Sequence, residues 1–397
     1  MLRILFIARC PPYPLHLGDR LILFHLAREL AARGHHLDLL AFADRPEDAG
    51  TDWSATPARP FFGHFETIPA PRRGPLSLLR RALLPGARWP SAAAAAWSPA
   101  MWRAIAAQVS GRPYDAIHLF GGVQVYEYWR ALGGRPALIT PYESYSLYLR
   151  RALAAARGPA WASIRLRAAL ARRYESWRFN PYKRVAVVSE RDRDELRALN
   201  PALPLAVIPN GVDLAAFSAP AAEREPALLF VGNYEYPPNV DAARTLATAI
   251  LPAVQSRVPA ARLWLVGHAP PPALQALAGD AVQVTGRVPD VRPYLARAGV
   301  FVSPLRLGAG IKNKVLEALA MGCPVVATPI SADGIALTHE HDALIADGPA
   351  LAEAAARVLA DPALAQRLAA NGRALVERRY TWTHVADQYE ELYAQLR

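Results

Sequence analysis

The strongest constraint on this chain is a repeated punctuation, in which a short apolar run ends on glycine, asparagine, serine or proline and gives way to a helical stretch. Leu2–Ala8 enters a Pro/Gly loop from Cys10 to Gly18, Ala116–Phe120 enters Gly121-Gly122, Ala137–Thr140 enters Pro141-Tyr142-Glu143-Ser144, and Arg184–Val188 enters Ser189-Glu190. The pattern resumes with Ala227–Val231 into Gly232-Asn233, Arg262–Val266 into Gly267-His268 and Val282–Thr285 into Gly286-Arg287. Val300–Ser303 then meets a glycine-rich turn, and Pro324–Thr328 meets Pro329-Ile330-Ser331. Apolar runs of this length alternating with helices specify βα units of a parallel sheet. After the first run, Leu23, Leu26, Ala27 and Leu30 fall at helical spacing, Gly34 ends the helix, and His36–Phe42 is extended again.

The two series are separated by Leu205–Ile208, the turn Pro209-Asn210-Gly211-Val212-Asp213 and a stretch at Pro220–Pro226 that is poor in order signals. The expected architecture is α/β: two doubly wound, Rossmann-like domains facing a central cleft, with ligands beyond the carboxyl ends of the strands. The expected division is 1–213, 214–380 and a last helix at 381–397. That helix offers Trp382, Val385, Tyr389, Leu392 and Leu396 for packing, and whether it returns to the first domain stays open. Residues 44–110 read as irregular and proline-rich, an insertion or a set of helices against the cleft. A chain of 397 residues, 52% hydrophobic, has material for two cores.

The formal charge of +11 calls for an anionic partner. Arginines cluster at Arg72, Arg73, Arg80 and Arg81, where Leu76, Leu78, Leu79, Leu83, Leu84 and Trp89 interleave with them, and again from Arg150 to Arg184. An anionic membrane surface and a solvated helix face fit the first cluster equally. No zinc-finger spacing, homeodomain pattern or RNA-binding aromatic motif accompanies the charge, which argues against nucleic acid. Met1–Ala8 is broken by Arg9 before any cleavage pattern and reads as a strand, not a signal peptide. No apolar run is long enough to span a bilayer. Cys10 and Cys323 are far apart and outside any metal-ligand spacing, so neither a disulphide nor a metal site is expected.

The richest chemistry lies in Ser303–Glu317, where a glycine-rich turn leads into a helix carrying Lys312, Lys314 and Glu317. Glu317 follows Lys314 by three residues and shares its helix face, as a cleft-wall acceptor of sugar hydroxyls or as an ordinary ion pair. Gly308 and Gly310 permit close backbone approach to a ligand or simply a tight turn. Lys312 and Lys314 read as phosphate ligands or as solvated lysines, and Arg287 and Arg306 as further cations for the same anion. In the first domain, Gly18 and Asp19 sit where the first loop meets its helix. Asp19 reads first as an N-cap and second as a general base. Glu143 is an acceptor-side candidate or a capping acid, and Ser189 a ligand contact or a cap.

Val207-Ile208-Pro209-Asn210-Gly211-Val212-Asp213, Phe230-Val231-Gly232, Leu265-Val266-Gly267, Val284-Thr285-Gly286-Arg287-Val288 and Lys314 through Thr328 together closely resemble bacterial GT-B glycosyltransferases of family 4. The likeness is strongest to the branch associated with exopolysaccharide and exosortase systems, through Tyr236–Asp241 and Ile311-Lys312-Asn313-Lys314. The resemblance implies transfer of a sugar from a nucleotide diphospho-sugar, UDP- or GDP-linked, with retention and without a metal or a tightly bound cofactor. It places the donor on the second domain and the acceptor on the first. It gives Glu317 the ribose hydroxyls and lays Gly308, Ala309, Gly310 and Ile311 over the phosphates and sugar, with Gly232, Asn233 and His268 completing the donor side. His118 matches the first histidine of a His-x-His strand end, with Phe120 at the second; a buried core histidine is its other reading. Ala309 stands where the pattern has a glutamate eight positions before Glu317, while Asn233 and Pro238 stand near the usual arginine and lysine. Arg287, Arg306, Lys312 and Lys314 are the cations available in their place.

The function expected from these readings is a retaining glycosyltransferase acting on a glycan or lipid-linked acceptor in exopolysaccharide or cell-surface glycan synthesis. It would be cytoplasmic, with the inner face of the plasma membrane as a candidate contact. A nucleotide-sugar 2-epimerase and a non-catalytic nucleotide-sugar-binding assembly protein are the alternatives.

Overall fold

The structure is a computed structural model that describes residues 1–15, 18–43, 48, 50–71, 97–218 and 223–396. The leucine- and arginine-rich stretch from Arg72 to Trp89 lies outside the described residues, as do Ala92–Ala96 and part of Pro220–Pro226. The chain forms two compact units, Met1–Pro209 together with Trp382–Arg397, and Asn210–Thr381.

The first unit is a seven-stranded sheet in the order β3-β2-β1-β4-β5-β6-β7. Its strands are β1 (Arg3–Ala8), β2 (His36–Ala43), β3 (Phe62–Pro69), β4 (Ala116–Phe120), β5 (Ala137–Thr140), β6 (Arg184–Val187) and β7 (Leu205–Val207), and neighbours pair in parallel. Strand residues alternate between the two faces, so Leu5 and Ile7 join one core layer while Ile4, Phe6 and Ala8 join the other. The first layer is closed by α2 (Pro99–Gly111), through Met101, Ile105 and Val109. The second is closed by α1 (Gly18–Ala32) and by α10 (Trp382–Ala394), the helix at the end of the chain. Trp382, Val385, Ala386, Tyr389, Leu392 and Tyr393 of α10 are all buried in that layer, and the Trp382 ring stacks on His25 of α1 at 5.2 Å. Beyond β5 lie α3 (Tyr145–Ala155) and α4 (Pro159–Arg178), and beyond β6 lies α5 (Glu190–Leu199).

The expectation of irregular chain over 44–110 is corrected at two places, since β3 and α2 fall within it. The β3 sequence breaks its apolar alternation at Gly63 and His64, and Pro69 ends it. An edge strand tolerates both features because one side of its ladder is unpaired. Its register is set by Asp38 of β2, whose carboxylate accepts the His64 amide at 2.8 Å.

The second unit is a six-stranded parallel sheet in the order β10-β9-β8-β11-β12-β13. It comprises β8 (Glu225–Val231), β9 (Arg262–Val266), β10 (Val282–Val284), β11 (Ala298–Ser303), β12 (Val325–Ala327) and β13 (Leu344–Ile345). Helix α6 (Pro237–Thr245) follows β8 and α7 (Asn313–Ala320) follows β11. α8 (Ala350–Ala360) and α9 (Pro362–Arg379) cover the sheet beyond β13. Gly372 of α9 lets Leu319 of α7 approach, since a Cβ there would lie 2.6 Å from the Leu319 side chain. In both units the strand order reverses beside the first strand, between β1 and β4 and between β8 and β11. Loops leaving adjacent strands part at such a point and leave an open crevice.

Gly267, just after β9, has φ +148°, and a Cβ on it would fall 1.8 Å from the Gly232 carbonyl oxygen. Two strand exits are thus pressed together backbone to backbone, which only glycine allows. Gly267→Ala should destabilise the second unit by on the order of 3 kcal/mol or more, read as a lower thermal midpoint; an unchanged midpoint would mean the contact relaxes freely.

Candidate functional site

At the switch point of the second unit, the exits of β8 and β11 bring Phe230, Gly232, Asn239 and Lys314 together. Gly232 lets Asn239 pack closely, since a Cβ there would lie 3.1 Å from the Asn239 side chain and press on it. Asn239 is 6% exposed; its Nδ2 donates to the Asn233 carbonyl at 2.7 Å, and its Oδ1 accepts from Lys314 Nζ at 2.7 Å. The same ammonium stands 4.3 Å from the centre of the Phe230 ring. Lys314 is therefore anchored from beneath by a neutral amide and an aromatic face. Burial pulls its pKa down from 10.5 to about 7, with the negative charge of Glu317 opposing the shift.

Glu317 is the counterpart one turn along α7. Burial pushes its carboxyl up from 4.5 to about 7, with Lys314 opposing. No hydrogen bond or ion pair joins this half-buried carboxylate to another described residue. It is only half-buried and accepts from no described donor, so its acceptor capacity is open to a ligand.

The turn before α7 is shaped by φ +148° at Gly308 and +65° at Gly310. The helix begins at Asn313, so Lys312, expected on it, is instead the residue preceding its first turn. Lys312 Nζ folds back to donate to the carbonyls of Ala309 and Gly310 at 2.8 and 2.7 Å, so it braces the turn from within. Ala309 and Ile311 are buried at 6% and 9% exposure. Beneath the turn, Thr328 Oγ1 donates to the Leu305 carbonyl at 2.6 Å and Ser331 Oγ to the Ser303 carbonyl at 2.8 Å, fixing where β11 ends. Asn210 Nδ2 holds Asn313 Oδ1 at 2.9 Å.

The remaining donor-side candidates divide. Arg306 is turned onto Asp241 in a bidentate pair at 2.7 and 2.8 Å and shares that carboxylate with Arg244, so its charge is already matched. Arg287 is exposed and has no side-chain partner among the described residues. Asn233 is folded into its own turn, accepting the Glu235 amide at 3.0 Å. His268 is half-buried, and its carbonyl accepts the Tyr234 amide at 2.9 Å.

In the first unit the corresponding switch point joins Arg9, Asp19, Gly121 and Tyr142. Asp19 is the second residue of α1 rather than its cap; its carboxylate pairs with Arg9 at 3.0 Å and accepts the Arg20 amide at 3.0 Å. Arg9 in turn packs across Gly121, where a Cβ would lie 2.6 Å from its side chain. Gly18 opens the helix and is exposed. Helix α3 is capped by Ser144, not by its half-buried neighbour Glu143. Ser189 caps α5: its hydroxyl accepts the Asp192 amide at 3.1 Å, and at 1% exposure it is out of solvent.

His118 does not present a free base. It is fully buried, with Nδ1 bonded to Tyr393 Oη at 2.8 Å and Nε2 to Thr140 Oγ1 at 2.7 Å. Burial holds its pKa well below 6.5. Its match to a strand-end motif is thereby met by a structural role joining β4, β5 and α10.

Local sequence gives several residues here no role. Arg9, Phe230, Asn239 and Asp241 act through partners distant in sequence, and so does Glu175, which accepts from Ser144, Ser146 and the Tyr145 amide and is pushed up to about 7 by burial. Among the described residues no group of His, Cys, Asp and Glu is placed to hold a metal ion, and no helix is long and apolar enough to cross a membrane.

Two family models match the chain: "Glycosyltransferase Family 4" over residues 21–216 and "Glycosyl transferases group 1" over 225–361. A phosphatidyl-myo-inositol mannosyltransferase of Mycobacterium tuberculosis is 32% identical over 203 residues, covering 47% of this chain and 53% of that protein. A GDP-mannose-dependent alpha-(1-6)-phosphatidylinositol monomannoside mannosyltransferase of the same organism is 32% identical over 214 residues, covering 48% and 55%. The chain thus spans about half the length of the curated relatives it matches. Among solved structures, the sucrose-phosphate synthase of Thermosynechococcus elongatus superposes with a TM-score of 0.73 at 23% identity, covering 100% of this chain and 99% of that one, which shows the fold.

Neutral His118 contributes stability that is complete above its unfolded pKa, about 6.5, and declines below it as pH falls toward the depressed folded value. His118→Phe should cost about 1–3 kcal/mol at neutral pH, because the buried Tyr393 hydroxyl loses its imidazole partner and Thr140 keeps only the Tyr389 hydroxyl. It should also flatten the decline in denaturant midpoint between about pH 7 and pH 5. A variant with wild-type stability and an unchanged pH profile would refute the structural role.

Proposed function

The chain belongs to the family 4 glycosyltransferases, and from this premise we propose that it moves a sugar, with retention, from a nucleotide diphospho-sugar to a hydroxyl acceptor in exopolysaccharide or cell-surface glycan synthesis. One observation carries the reading: a half-buried carboxylate and a desolvated ammonium, Glu317 and Lys314, stand one helical turn apart with the carboxylate accepting a hydrogen bond from no described residue. A ribose diol donates two hydrogen bonds, and a diphosphate brings the negative charge that a desolvated ammonium lacks. One nucleotide diphosphate supplies both. The names of the mannosyltransferase relatives support a sugar-nucleotide donor and a lipid-linked acceptor.

In the proposed reaction the acceptor oxygen attacks the anomeric carbon as the bond from that carbon to the diphosphate oxygen breaks. Negative charge grows on the departing diphosphate, where Lys314 and the amides opening α7 stabilise it more than they stabilise the bound donor. Approach on the face from which the diphosphate leaves gives retention without a protein nucleophile, and the acceptor proton passes to the leaving phosphate oxygen. The chemistry of the residues described needs no metal for these steps.

Glu317→Gln should lower kcat/KM for the donor by about 10- to 100-fold, the worth of a charge-assisted hydrogen bond, with the thermal midpoint unchanged or raised. Wild-type turnover in that variant would remove Glu317 from the site. Donor conversion in the absence of acceptor would instead identify an epimerase, and donor binding without turnover across lipid-linked acceptors an assembly protein.

Lys314 loses its proton as pH rises through about 7, so pyrophosphate affinity should fall across that range relative to Lys314→Arg, which stays charged and cancels the ligand's own titration. In Glu317→Gln, where the raising influence of the carboxylate is gone, the fall should begin at lower pH. Parallel profiles by calorimetry for the wild type and Lys314→Arg would exclude the ammonium from phosphate binding.

A further inference from the structure

The amino ends of the second unit's strands border a cavity of about 580 Å³. Its floor is where β8, β11 and β12 begin, at Pro226, Gly299 and Pro324, and its roof is the corner between α8 and α9, through Leu359, Ala365 and Ala369. Helix α7 ends here, and Met321 just after it closes one side. Residue size keeps the space open. Gly299 leaves no room for a side chain, because a Cβ would lie 2.6 Å from the Glu225 carbonyl oxygen and 2.6 Å from the Leu359 side chain. From the other side α9 presents two alanines one turn apart, where larger side chains would fill the gap.

One charge on this wall differs from its neighbours. Arg224 Nη1 donates to the carbonyl oxygens of Leu295 and Ala298 at 3.2 and 2.6 Å, and Nη2 to that of Gly322 at 2.6 Å. Carbonyls satisfy N–H groups but leave the unit charge in place. Arg257, Arg292, Arg297 and Arg357 of the same unit each pair with a carboxylate, whereas Arg224 has no carboxylate partner among the described residues. The other charged residue of the lining, Glu225, is taken by Arg297 at 2.8 Å. Apolar surface and a half-buried guanidinium matched by no acid thus share one cavity.

We propose that this cavity binds an amphiphilic monoanion, a carboxylate on an apolar chain, with the chain against Met321, Leu359 and the two α9 alanines and the carboxylate beside Arg224. Charge complementarity selects an anionic head over a neutral or cationic one. The apolar walls select an alkyl body over a sugar or nucleotide, whose hydroxyls would be left without partners there. Neither Lys314 nor Glu317 lines the cavity, so binding here is tested independently of the proposed donor site.

Decanoate, kept below the concentration at which it forms micelles, should bind the full chain at one site by titration calorimetry. Decyltrimethylammonium, of the same chain length, should bind at least about tenfold more weakly. Ala365→Trp should fill the space and lower decanoate affinity at least about tenfold, with a thermal midpoint at or above that of the wild type. Arg224→Gln should lower decanoate affinity about 5- to 10-fold and the affinity for neutral decanol by less than about twofold, a split that loss of a purely structural clamp would not produce. The proposal is overturned if decanoate does not bind, if decyltrimethylammonium binds equally well, or if Ala365→Trp binds decanoate like the wild type. Should Ala365→Trp not fold, Ala369→Phe, one turn further along α9, blocks the same cavity and is held to the same criterion.

Discussion

The second unit is organised around an ammonium kept short of water. Lys314 has a neutral amide and an aromatic ring where a solvated lysine would have a hydration shell. That position depends on Asn239 tucking against the end of β8, a close approach that the missing side chain at Gly232 eases. The Gly232 carbonyl is in turn pressed on by Gly267, so three consecutive strand exits are linked to one charge. Desolvation makes the charge expensive in the empty protein and responsive to an incoming anion. A lysine free in water would give up part of its hydration to bind phosphate, whereas this one has already done so. The same reasoning extends to Glu317, whose ionised form burial disfavours until hydroxyl donors arrive.

The βα order, the parallel sheets and most strand positions are legible in the sequence because most strands are mainly apolar runs closed by a turn residue. Ala116–Phe120 and Arg262–Val266 keep the boundaries their composition implies. β3 is illegible for the converse reason: an edge strand needs only part of the usual alternation, and Gly63, His64 and Pro69 hide it among loop residues. β13 has only two residues, too few for any period to show.

At the candidate site, Gly308, Gly310, Lys314 and Glu317 are visible as a local pattern, while the orientation of each charge is not. Lys312 and Lys314 are two residues apart, yet one braces its own turn and the other faces Asn239 and Phe230. Which does which depends on Asn239, 75 residues away in sequence. Arg306 is committed to Asp241 across 65 residues, and His118 to Tyr393 across 275. Spacing within a motif carries no record of such partners. A histidine at a strand end therefore reads the same whether it faces a ligand or, as here, two buried hydroxyls.

The departure at Ala309 changes the balance of charge more than the shape of the turn. The methyl group is buried, and the turn keeps its glycine conformations with Lys312 bonded to two of its carbonyls. Without an acid at that position, Glu317 is the carboxylate that faces Lys314 on α7, and the turn leans toward positive charge. Such a balance suits stabilisation of a departing diphosphate better than recognition of sugar hydroxyls, which needs acceptors. Under the proposed reaction, sugar discrimination then comes from groups outside the turn, and introducing an acid with Ala309→Glu would tighten hydroxyl recognition only if the buried methyl site can open to water. The cost of burying that carboxylate where Ala309 is 6% exposed is several kcal/mol unless Lys312 releases the carbonyls and pairs with it, so the substitution would reorganise the very turn it was meant to complete.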